Sequence, residues 1–396
     1  MSRPDVIVVG LGAIGSAITC QLAQRGVRVV GIDRYHPPHD KGSSHGHSRI
    51  TRLAVGEGAA DVPLVQRSHQ LWREFEADTG RSLFRRTGLL IVASPASTGT
   101  AYHGQLGFFD RTLALAREFG VDHELLDAAA AHQRFPAFTP HEADRVYLEH
   151  DGGVLFPEAC IQAQLDIAQR HGASLRLGER LLSLRQAGGA VSVRTNLGEL
   201  HAAHVVLCTG AWLPAQVGGP LQQRLRVLRQ VLHWLATDTP AHYDPASCPA
   251  FMWLHGAGAD DVFFGFPMID ALPGVKVATE QFSRITAPDD AQRQVGAADA
   301  QNLFDQHLRG RMTGLRPLSI HSTTCLYTMA ADGRFVVDRH PDQDHVTVVS
   351  PCSGHGFKHS AGLGEAIAQQ LTGQAQHASL APFAIGAVAS DQERGP

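Results

Sequence analysis

The sequence predicts an α/β protein of two domains, one built around a parallel sheet and the other from mostly antiparallel strands. Three observations predict it. The first 33 residues hold a β-branched run, a glycine-rich turn, a helical pattern and a second β-branched run. Strand patterns typical of a buried parallel sheet return much later, at Ala203–Gly210 and Val346–Val349. Between them, residues 220–318 are richer in proline and aromatic residues, which indicates a separate, mostly strand-built domain.

The first strand leads into a glycine motif with the spacing of a dinucleotide-binding turn. Gly10 permits a tight turn, Gly12 lets the backbone approach a pyrophosphate, and Gly15 lets the following helix pack closely on the strand. The pyrophosphate would lie at the N-terminus of that helix. The next strand ends at Asp33, 18 residues after Gly15, where a carboxylate can bind a ribose hydroxyl. Asp33 favours NAD or FAD over NADP but does not distinguish NAD from FAD.

The remaining elements follow from periodicity and turn residues. In chain order, the patterns predict a long loop over 34–60, a helix over 61–79, a strand over 89–92, part of a helix over 113–119, a helix over 159–171, a strand over 174–177, hairpin strands around the turns at 188–189 and 196–198, and a long helix over about 360–371. A loop as long as the first of these, inside a compact domain, is usually functional.

The parallel-sheet domain is therefore interrupted twice by other chain segments. We expect a discontinuous, Rossmann-like FAD-binding domain, a substrate domain with a mostly antiparallel sheet, and a tail. Their predicted ranges are 1–85, 150–220 and 320–385 for the first, 86–149 and 221–319 for the second, and 386–396 for the tail. A dinucleotide domain assembled from three segments fits an FAD protein better than a simple NAD dehydrogenase.

Composition excludes several classes of partner. The 396 residues carry 34 basic and 38 acidic side chains, a net charge of −4 spread along the chain, so we expect no nucleic acid or membrane surface as partner. The sequence has no run of 18 apolar residues, so it predicts no transmembrane helix, and the N-terminus shows no signal-peptide pattern. The six cysteines form no C-x-x-C pair, which argues against zinc and against a disulfide framework. A cytoplasmic protein is the simplest expectation.

The 23 histidines raise the question of a metal site. Four of them lie close together in the loop after the second strand, namely His36, His39, His45 and His47. A metal site needs three or four ligands that converge from fixed elements, and this loop has no cysteine or carboxylate pattern beside its histidines. We therefore predict no metal.

Three further motifs are more specific than the glycine turn. They are Gly-Ser-Ser-His-Gly-His-Ser-Arg-Ile-Thr-Arg at 42–52, Thr-Cys-Leu-Tyr-Thr at 324–328, and Ser-Gly-His-Gly-Phe-Lys at 353–358. With these motifs the sequence resembles, over nearly its whole length, the monomeric sarcosine oxidase and N-methyltryptophan oxidase family of D-amino-acid-oxidase-like flavoproteins. The resemblance implies FAD-dependent oxidation of a secondary amine, an N-methyl or related amino acid, to an imine, with dioxygen reduced to hydrogen peroxide.

The resemblance assigns several residues to the flavin. It implies that FAD is attached covalently through its 8α-methyl group to Cys325, for which the alternative is a small buried hydrophobic residue. Ser43 is counted among the cofactor-binding residues. Gly354, His355 and Gly356 resemble a backbone turn over the pyrimidine edge of the flavin, where amide N–H groups would stabilise negative charge on the reduced ring.

The loop after the second strand carries the basic residues of the substrate end. Arg49 and Arg52 are three apart, so on a short helical turn they would share a face and form an anion site. The resemblance places His45 and Arg49 next to the flavin ring and Arg52 on the substrate carboxylate, with Lys358 as the second carboxylate ligand. The alternatives are arginines on an ordinary solvated loop and a lysine that faces water at the start of a helix.

The predicted site also includes one lysine and two residues that differ from the family pattern. Lys276 aligns with the family lysine that lies above the flavin and activates dioxygen, and its alternative is a solvent-facing strand lysine. Phe264 stands where sarcosine-oxidising members have a tyrosine, and Glu280 where the family commonly has a histidine. These differences leave flavin binding intact but put sarcosine itself in question. Our hypothesis is that Glu280 helps to select a larger substrate, through a second cationic or donor group, or acts as a base.

Other functions remain open at the level of sequence. The enzyme could desaturate a cyclic imino acid such as pipecolate, or pass its electrons to a protein acceptor in place of dioxygen. A non-catalytic FAD-binding subunit conflicts with the intact set of basic residues, and an NAD dehydrogenase does not explain Cys325 or the His355 segment. We expect a monomer whose partners are a small-molecule amine and dioxygen.

Overall fold

The structure is a computed structural model that describes residues 3–99, 101–103, 105–269, 271–373 and 378–387. Most of the predicted tail, residues 388–396, lies outside the described residues. Within the described ranges, no helix is both long enough and apolar enough to cross a membrane.

The helices follow the predicted periodicities closely. The α-helices in the described ranges are α1 (Ala13–Gln24), α2 (Val62–Thr79), α3 (Phe108–Glu118), α4 (Ala128–Arg134), α5 (Pro157–Arg170), α6 (Leu213–Val217), α7 (Gly219–Arg224), α8 (Ala297–Leu303) and α9 (Ser360–Leu371). Proline in the first turn favours the start of α2, where no backbone N–H is needed, and Gly80 ends it in a left-handed conformation at φ 66°.

The described residues form twenty β-strands. They are β1 (Val6–Val9), β2 (Val29–Asp33), β3 (Arg49–Thr51), β4 (Phe84–Arg85), β5 (Leu89–Ala93), β6 (His123–Leu126), β7 (Arg145–Glu149), β8 (Gly153–Leu155), β9 (Ser174–Leu177), β10 (Leu181–Ala187), β11 (Ala190–Thr195), β12 (Gly198–Ala202), β13 (His204–Leu207), β14 (Leu225–Thr237), β15 (Ala250–Leu254), β16 (Val262–Phe266), β17 (Val275–Thr279), β18 (Leu315–Ala330), β19 (Val336–His340) and β20 (Gln343–Ser350). The predicted hairpins of the 181–202 region are confirmed as β10, β11 and β12.

A six-stranded sheet carries the glycine motif. Its order is β19-β20-β13-β1-β2-β9, and all neighbours are parallel except β19 and β20. The chain leaves β1 to β2 on one side and reaches β13 on the other, so the carboxyl end of β1 is a topological switch point. In sheets of this kind a crevice for ligands opens there. Helix α1, which starts at this crevice, packs against α5 and α9.

An eight-stranded sheet forms the second layer of the protein. Its order is β18-β14-β17-β16-β15-β5-β7-β6, with antiparallel neighbours throughout except for the parallel pair of β15 and β5. Phe264 lies on β16, Lys276 on β17 and Cys325 on β18. The predicted fold class, a Rossmann-like domain joined to a mostly antiparallel sheet, is confirmed.

The local conformation around the two arginines was predicted wrongly. Arg49 does not lie on a helical turn, because residues 49–51 form strand β3, which pairs antiparallel with β8. Strand β8 also pairs with β4, and this close approach needs a glycine: a Cβ on Gly153 would lie 2.3 Å from the carbonyl oxygen of Arg85. Pairing between distant segments thus decides the conformation, and Arg52 follows the end of the strand.

Candidate active site

The turn after β1 has the backbone geometry of a dinucleotide cradle. Gly10 has a φ of 90°, in the region that favours glycine. A Cβ on Gly15 would lie 1.7 Å from the carbonyl oxygen of Gly10, so only glycine lets α1 start this close to the strand. Gly12 differs, since a Cβ there would meet only the Ser44 Oγ at 3.6 Å. Gly12 therefore presents open backbone to the space at the N-terminus of α1, where phosphate groups bind favourably.

Asp33 ends β2 beside this turn. One carboxylate oxygen accepts a hydrogen bond from the Leu11 amide at 2.7 Å, and the other accepts one from the Tyr35 amide at 2.7 Å. These bonds fix the carboxylate at the wall of the cavity, while each oxygen keeps a lone pair for a ribose hydroxyl. The predicted role of Asp33 in binding a ribose hydroxyl stays a prediction.

A single cavity of about 560 Å³ runs from the glycine turn to the far end of the predicted site. The predicted residues that line it are Gly10, Gly12, Asp33, Ser43, Arg49, Arg52, Phe264, Lys276, Glu280, Cys325, Gly354, His355, Gly356 and Lys358. Gly15 and His45 are not among its lining residues. The donors and glycines therefore fit a long dinucleotide such as FAD, which Asp33 and the glycine turn would help to hold.

Arg52 is buried and already bound to a carboxylate that the sequence analysis missed. Its Nη2 donates to both oxygens of Glu57, at 2.7 and 2.6 Å, and its Nη1 donates to the carbonyl oxygen of Ala54 at 2.6 Å. Both side chains of the pair are under 5 % exposed. Arg52 is thus no solvated loop residue, and a fork of this kind is suited to bind a carboxylate in two places.

Lys358 lies on the other side of Glu57. Its Nζ donates to the carbonyl oxygen of His355 at 2.8 Å and lies 3.7 Å from Glu57 Oε1. Burial, and then the charge of Arg52, lower the pKa of Lys358 to about 8, although Glu57 opposes the change. Burial alone would raise the pKa of Glu57, but Arg52 and Lys358 together hold it well below its ordinary value. The predicted pair of basic residues is therefore present, with Glu57 between them.

His103, which the sequence analysis did not single out, connects Glu57 to Glu280. Its Nδ1 lies 3.2 Å from Glu57 Oε1, and its Nε2 lies 3.0 Å from Glu280 Oε1. Burial disfavours the imidazolium, yet Glu280 and Glu57 raise the pKa of His103 to about 9. A ring with a carboxylate at each nitrogen is held as a cation, because both nitrogens then donate.

Glu280 closes the far end of the cavity, at 3 % exposure. Its Oε1 accepts the bond from His103, whereas its Oε2, 2.8 Å from the same nitrogen, lies out of line and has no hydrogen-bond partner among the described residues. Gly354 packs directly on this pair, since a Cβ there would lie 2.9 Å from His103 Nε2 and 3.4 Å from Glu280 Oε1. One oxygen of this buried carboxylate thus contacts His103 as an ion pair without a hydrogen bond.

Lys276 is buried rather than solvent-facing, so that alternative is wrong. The side chain is 2 % exposed. Its Nζ donates to the carbonyl oxygens of Gly46 and Ser48, at 2.6 and 2.9 Å, and to Ser48 Oγ at 2.9 Å. These bonds fix a cation at the cavity wall, 4.5 Å from the centre of the Phe266 ring.

Of the remaining predicted residues, Arg49 and Cys325 line the cavity and His45 does not. Arg49 donates to the carbonyl oxygens of Ser48 and Ser43, at 2.8 and 2.6 Å. Burial, and then Arg49, lower the pKa of His45 to about 4, so this imidazole is neutral at pH 7. Cys325 is 1 % exposed, and burial raises the pKa of its thiol, although Arg49 and Lys276 oppose this.

Glu57, His103 and His355 each have a possible ligand atom within 4.8 Å of the others. Arg52 and Lys358 already compensate the charge of Glu57, and a protonated His103 offers no lone pair to a metal. This donor set therefore suits a metal poorly, and the absence of a metal stays a prediction.

Nothing in the periodicity of the sequence indicates Glu57 or His103. A usable signal exists for Glu57, because it is a single charge within the small and apolar run Ala54-Val55-Gly56-Glu57-Gly58, where a buried charge needs a partner. His103 stands between Tyr102 and Gly104 in a turn, with a φ of 49°, and no pattern marks it.

Comparisons with known proteins agree with this geometry. A family model described as FAD dependent oxidoreductase matches residues 5–370. The chain is 35 % identical to a monomeric sarcosine oxidase of Streptomyces avermitilis, over 94 % of this chain and 95 % of that protein. It is 28 % identical to an N-methyl-L-tryptophan oxidase of Salmonella dublin, over 96 % and 98 % of the two chains. The structure also resembles the open form of NikD, an unusual amino acid oxidase essential for nikkomycin biosynthesis, with a TM-score of 0.81, 23 % identity and coverage of 97 % and 98 %.

Proposed function

The chain belongs to the family of FAD-dependent oxidoreductases, and we propose that it oxidises a secondary amine of an amino acid to an imine, with dioxygen reduced to hydrogen peroxide. One observation carries the proposal: a single cavity joins the dinucleotide cradle to a buried pair of cations suited to a carboxylate. The relatives named as sarcosine and N-methyl-L-tryptophan oxidases support the substrate class.

Different residues of the cavity have different roles in the proposed reaction. When bound, FAD supplies the capacity to take two electrons from a C–N bond. Arg52 and Lys358 hold the substrate carboxylate and thereby fix the position of the neighbouring amine, which is a gain in proximity and orientation. Arg49 lines the cavity and would contact the flavin ring, with His45 behind the lining residues. The amides of the turn at 354–356 stabilise negative charge there.

We further propose that Cys325 forms a covalent bond to the 8α-methyl group of FAD. The thiol lines the cavity, and although burial raises its pKa, the cations Arg49 and Lys276 oppose that rise. Acid precipitation followed by mass spectrometry of the tryptic peptides should find FAD on the peptide that contains Cys325. Cys325→Ser should release all FAD on denaturation, while Cys352→Ser, a matched change of another cavity cysteine, should retain it. Free FAD from the unaltered protein would contradict the bond.

Dioxygen is the proposed electron acceptor because Lys276 provides a fixed buried cation. Reduction of dioxygen passes through superoxide, whose negative charge such a cation stabilises. The three hydrogen bonds to Gly46 and Ser48 keep the ammonium in place before the reaction. We also propose that the protein has the division into domains predicted from its sequence, and that it is a monomer located in the cytoplasm.

The substrate end favours a substrate other than sarcosine. Phe264 offers no hydroxyl, and Met252 and Phe266 also line this region of the cavity, so an apolar substituent finds contacts here. Glu280 lines the same cavity and adds a hydrogen-bond acceptor there. A cyclic imino acid is the second candidate, because its ring buries apolar surface and its nitrogen is a secondary amine.

An anaerobic titration tests the function. The purified protein is mixed without oxygen with sarcosine, other N-methyl amino acids, pipecolate, proline, and D- and L-amino acids, and the oxidised flavin absorbance is followed. We expect one class of secondary amines to bleach it, and re-admission of oxygen to restore it with formation of peroxide. A coloured protein that none of these amines bleaches would overturn the proposed substrate class, and a colourless protein would overturn the flavin assignment.

A further inference from the structure

Four buried charged side chains form a row in the part of the cavity lined by Arg52 and Glu280. Arg52 contacts Glu57, Glu57 contacts His103, and His103 contacts Glu280, with signs that alternate along the row. The first member belongs to the pair that would hold a carboxylate. The last member is an anion whose Oε2 has no hydrogen-bond partner among the described residues. The row therefore has a cation at one end and, at the other, a carboxylate oxygen that contacts His103 Nε2 at 2.8 Å but forms no hydrogen bond among the described residues.

We propose that Glu280 accepts the ammonium proton of the bound amino acid, and that His103 is the positioning residue that aims this carboxylate. The inference rests on the proposed function, since it concerns the same substrate. An amino acid in water carries a carboxylate and an ammonium group, so it matches both ends of the row. Transfer of one proton leaves the nitrogen with the lone pair that an amine oxidation needs.

The step balances without any further reactant. The N–H bond of the ammonium group breaks, an O–H bond forms at Glu280 Oε2, and the electron pair of the broken bond stays on nitrogen. Two opposite charges disappear inside a buried cavity, where isolated charges are costly. Arg52, Lys358 and the cationic ring of His103 disfavour a further cation in the same space, so they favour the neutral amine.

Of the two oxygens of Glu280, Oε2 is the one without a hydrogen bond among the described residues, although it lies 2.8 Å from His103 Nε2. Oε1 is occupied by the hydrogen bond from His103 Nε2 at 3.0 Å. His103 is itself fixed by Glu57 at 3.2 Å on its other nitrogen and by the stacked ring of Tyr102 at 4.0 Å. Gly354 packs against both side chains on one side.

The charged and titratable groups that face Glu280 come from several elements. They are His103 and Tyr102 of the turn before α3, Tyr327 of β18, and Lys358 before α9, with Glu57 acting through His103. The pKa values of both phenols are raised well above their ordinary value by burial and then by Glu280, so both stay neutral. Neither phenol competes with Glu280 for a proton at neutral pH.

The pH dependence of anaerobic flavin reduction is the first test. An aliphatic amine with a pKa of about 10 is only about 0.1 % neutral at pH 7. Glu280→Gln should therefore reduce the rate by about 10²- to 10³-fold at pH 7 and recover it toward the wild-type rate as the pH approaches 10. Glu365→Gln, which alters a carboxylate paired with Arg67 outside the cavity, is the matched control and should leave the profile unchanged.

A binding measurement tests the same idea without turnover. 2-Aminoisobutyrate and trimethylacetate have nearly the same shape, and neither has a hydrogen on a carbon attached to nitrogen, so neither can be oxidised. They differ in that only the first carries N–H groups. The wild-type holoenzyme should bind 2-aminoisobutyrate more tightly by about 10- to 100-fold, as measured from the flavin spectrum or by calorimetry. Glu280→Gln should abolish this preference, and His103→Gln should weaken it.

The outcomes separate this inference from the proposed function. If the wild-type flavin is bleached by an amine while Glu280→Gln keeps both the pH profile and the ligand preference, the inference is overturned and the function stands. If Glu280→Gln changes only the selectivity among substrate side chains, Glu280 binds a second donor and the inference is likewise overturned. If no amine bleaches the flavin, the function fails, and the ligand pair still reports whether Glu280 binds an ammonium group. Should Glu280→Gln not fold, His103→Gln provides the same two measurements.

Discussion

Replacement of His103 by glutamine would measure the charge state of the buried imidazole. The ring lies between Glu57 and Glu280, which raise its pKa from the ordinary 6.5 to about 9 against the effect of burial. This difference corresponds to roughly 3 kcal/mol in favour of the imidazolium in the folded protein. Because the folded pKa is the higher one, the stabilisation is fully present below pH 6.5 and is lost as the pH rises through about 9.

The assay is urea unfolding of the wild-type and His103→Gln holoenzymes at a series of pH values from about 6 to 10. The free-energy difference between the two proteins should fall by roughly 3 kcal/mol across this range. His69→Gln is the matched control. Burial lowers the pKa of His69 to about 4, so its ring is neutral in the folded protein and only the unfolded ring titrates, near pH 6.5. The effect of its replacement should therefore change by less than about 1 kcal/mol, and only below about pH 7.5. A constant difference for His103→Gln as well would refute a protonated ring between the two carboxylates.

Three further changes have defined outcomes. Glu57→Gln leaves Arg52 and Lys358 without their shared anion and should cost about 3–5 kcal/mol in urea unfolding; a loss below about 1 kcal/mol would show that the cations do not depend on it. In Gly12→Ala the new Cβ would contact only Ser44 Oγ, at 3.6 Å, so the protein should fold but lose FAD. The loss would appear as a lower ratio of flavin to protein absorbance, and an unchanged ratio would contradict dinucleotide binding at this turn. Lys276→Met should slow the reoxidation of chemically reduced enzyme by oxygen about 10²- to 10³-fold, whereas a rate close to the wild-type value would remove Lys276 from the oxygen reaction.

Local signals account for what the sequence predicted well. The cradle between β1 and α1 depends on glycines whose roles are set by the backbone itself, so a spacing of residues is enough to place them. Helices α2 and α9 match their predicted ranges within one residue, because apolar periodicity and end signals are contained within each segment. The eight-stranded sheet was foreseen only as a strand-rich region, since the order of its strands depends on contacts between residues far apart in sequence.

The charged end of the site shows where sequence reasoning stops. Arg49 and Arg52 were placed on a helical turn by their spacing, yet pairing of β3 with β8 extends the chain there. His103 is 177 residues from Glu280 and 46 from Glu57, so its two hydrogen bonds exist only in the folded protein. Side chains that meet across such separations leave no periodic trace, and their charges cannot be paired from the sequence.

The alternation of charges explains how such a site can be both stable and selective. An isolated charge at this depth would shift its pKa toward the neutral form, but each member of the row has an opposite neighbour within about 3 Å. A glutamate at position 280 therefore stays compatible with a buried cavity because His103 supplies the compensating charge. In the proposal made above, the oxygen of Glu280 that has no hydrogen bond among the described residues meets the substrate. One arrangement of side chains would then serve both the electrostatic stability of the fold and the recognition of a zwitterion.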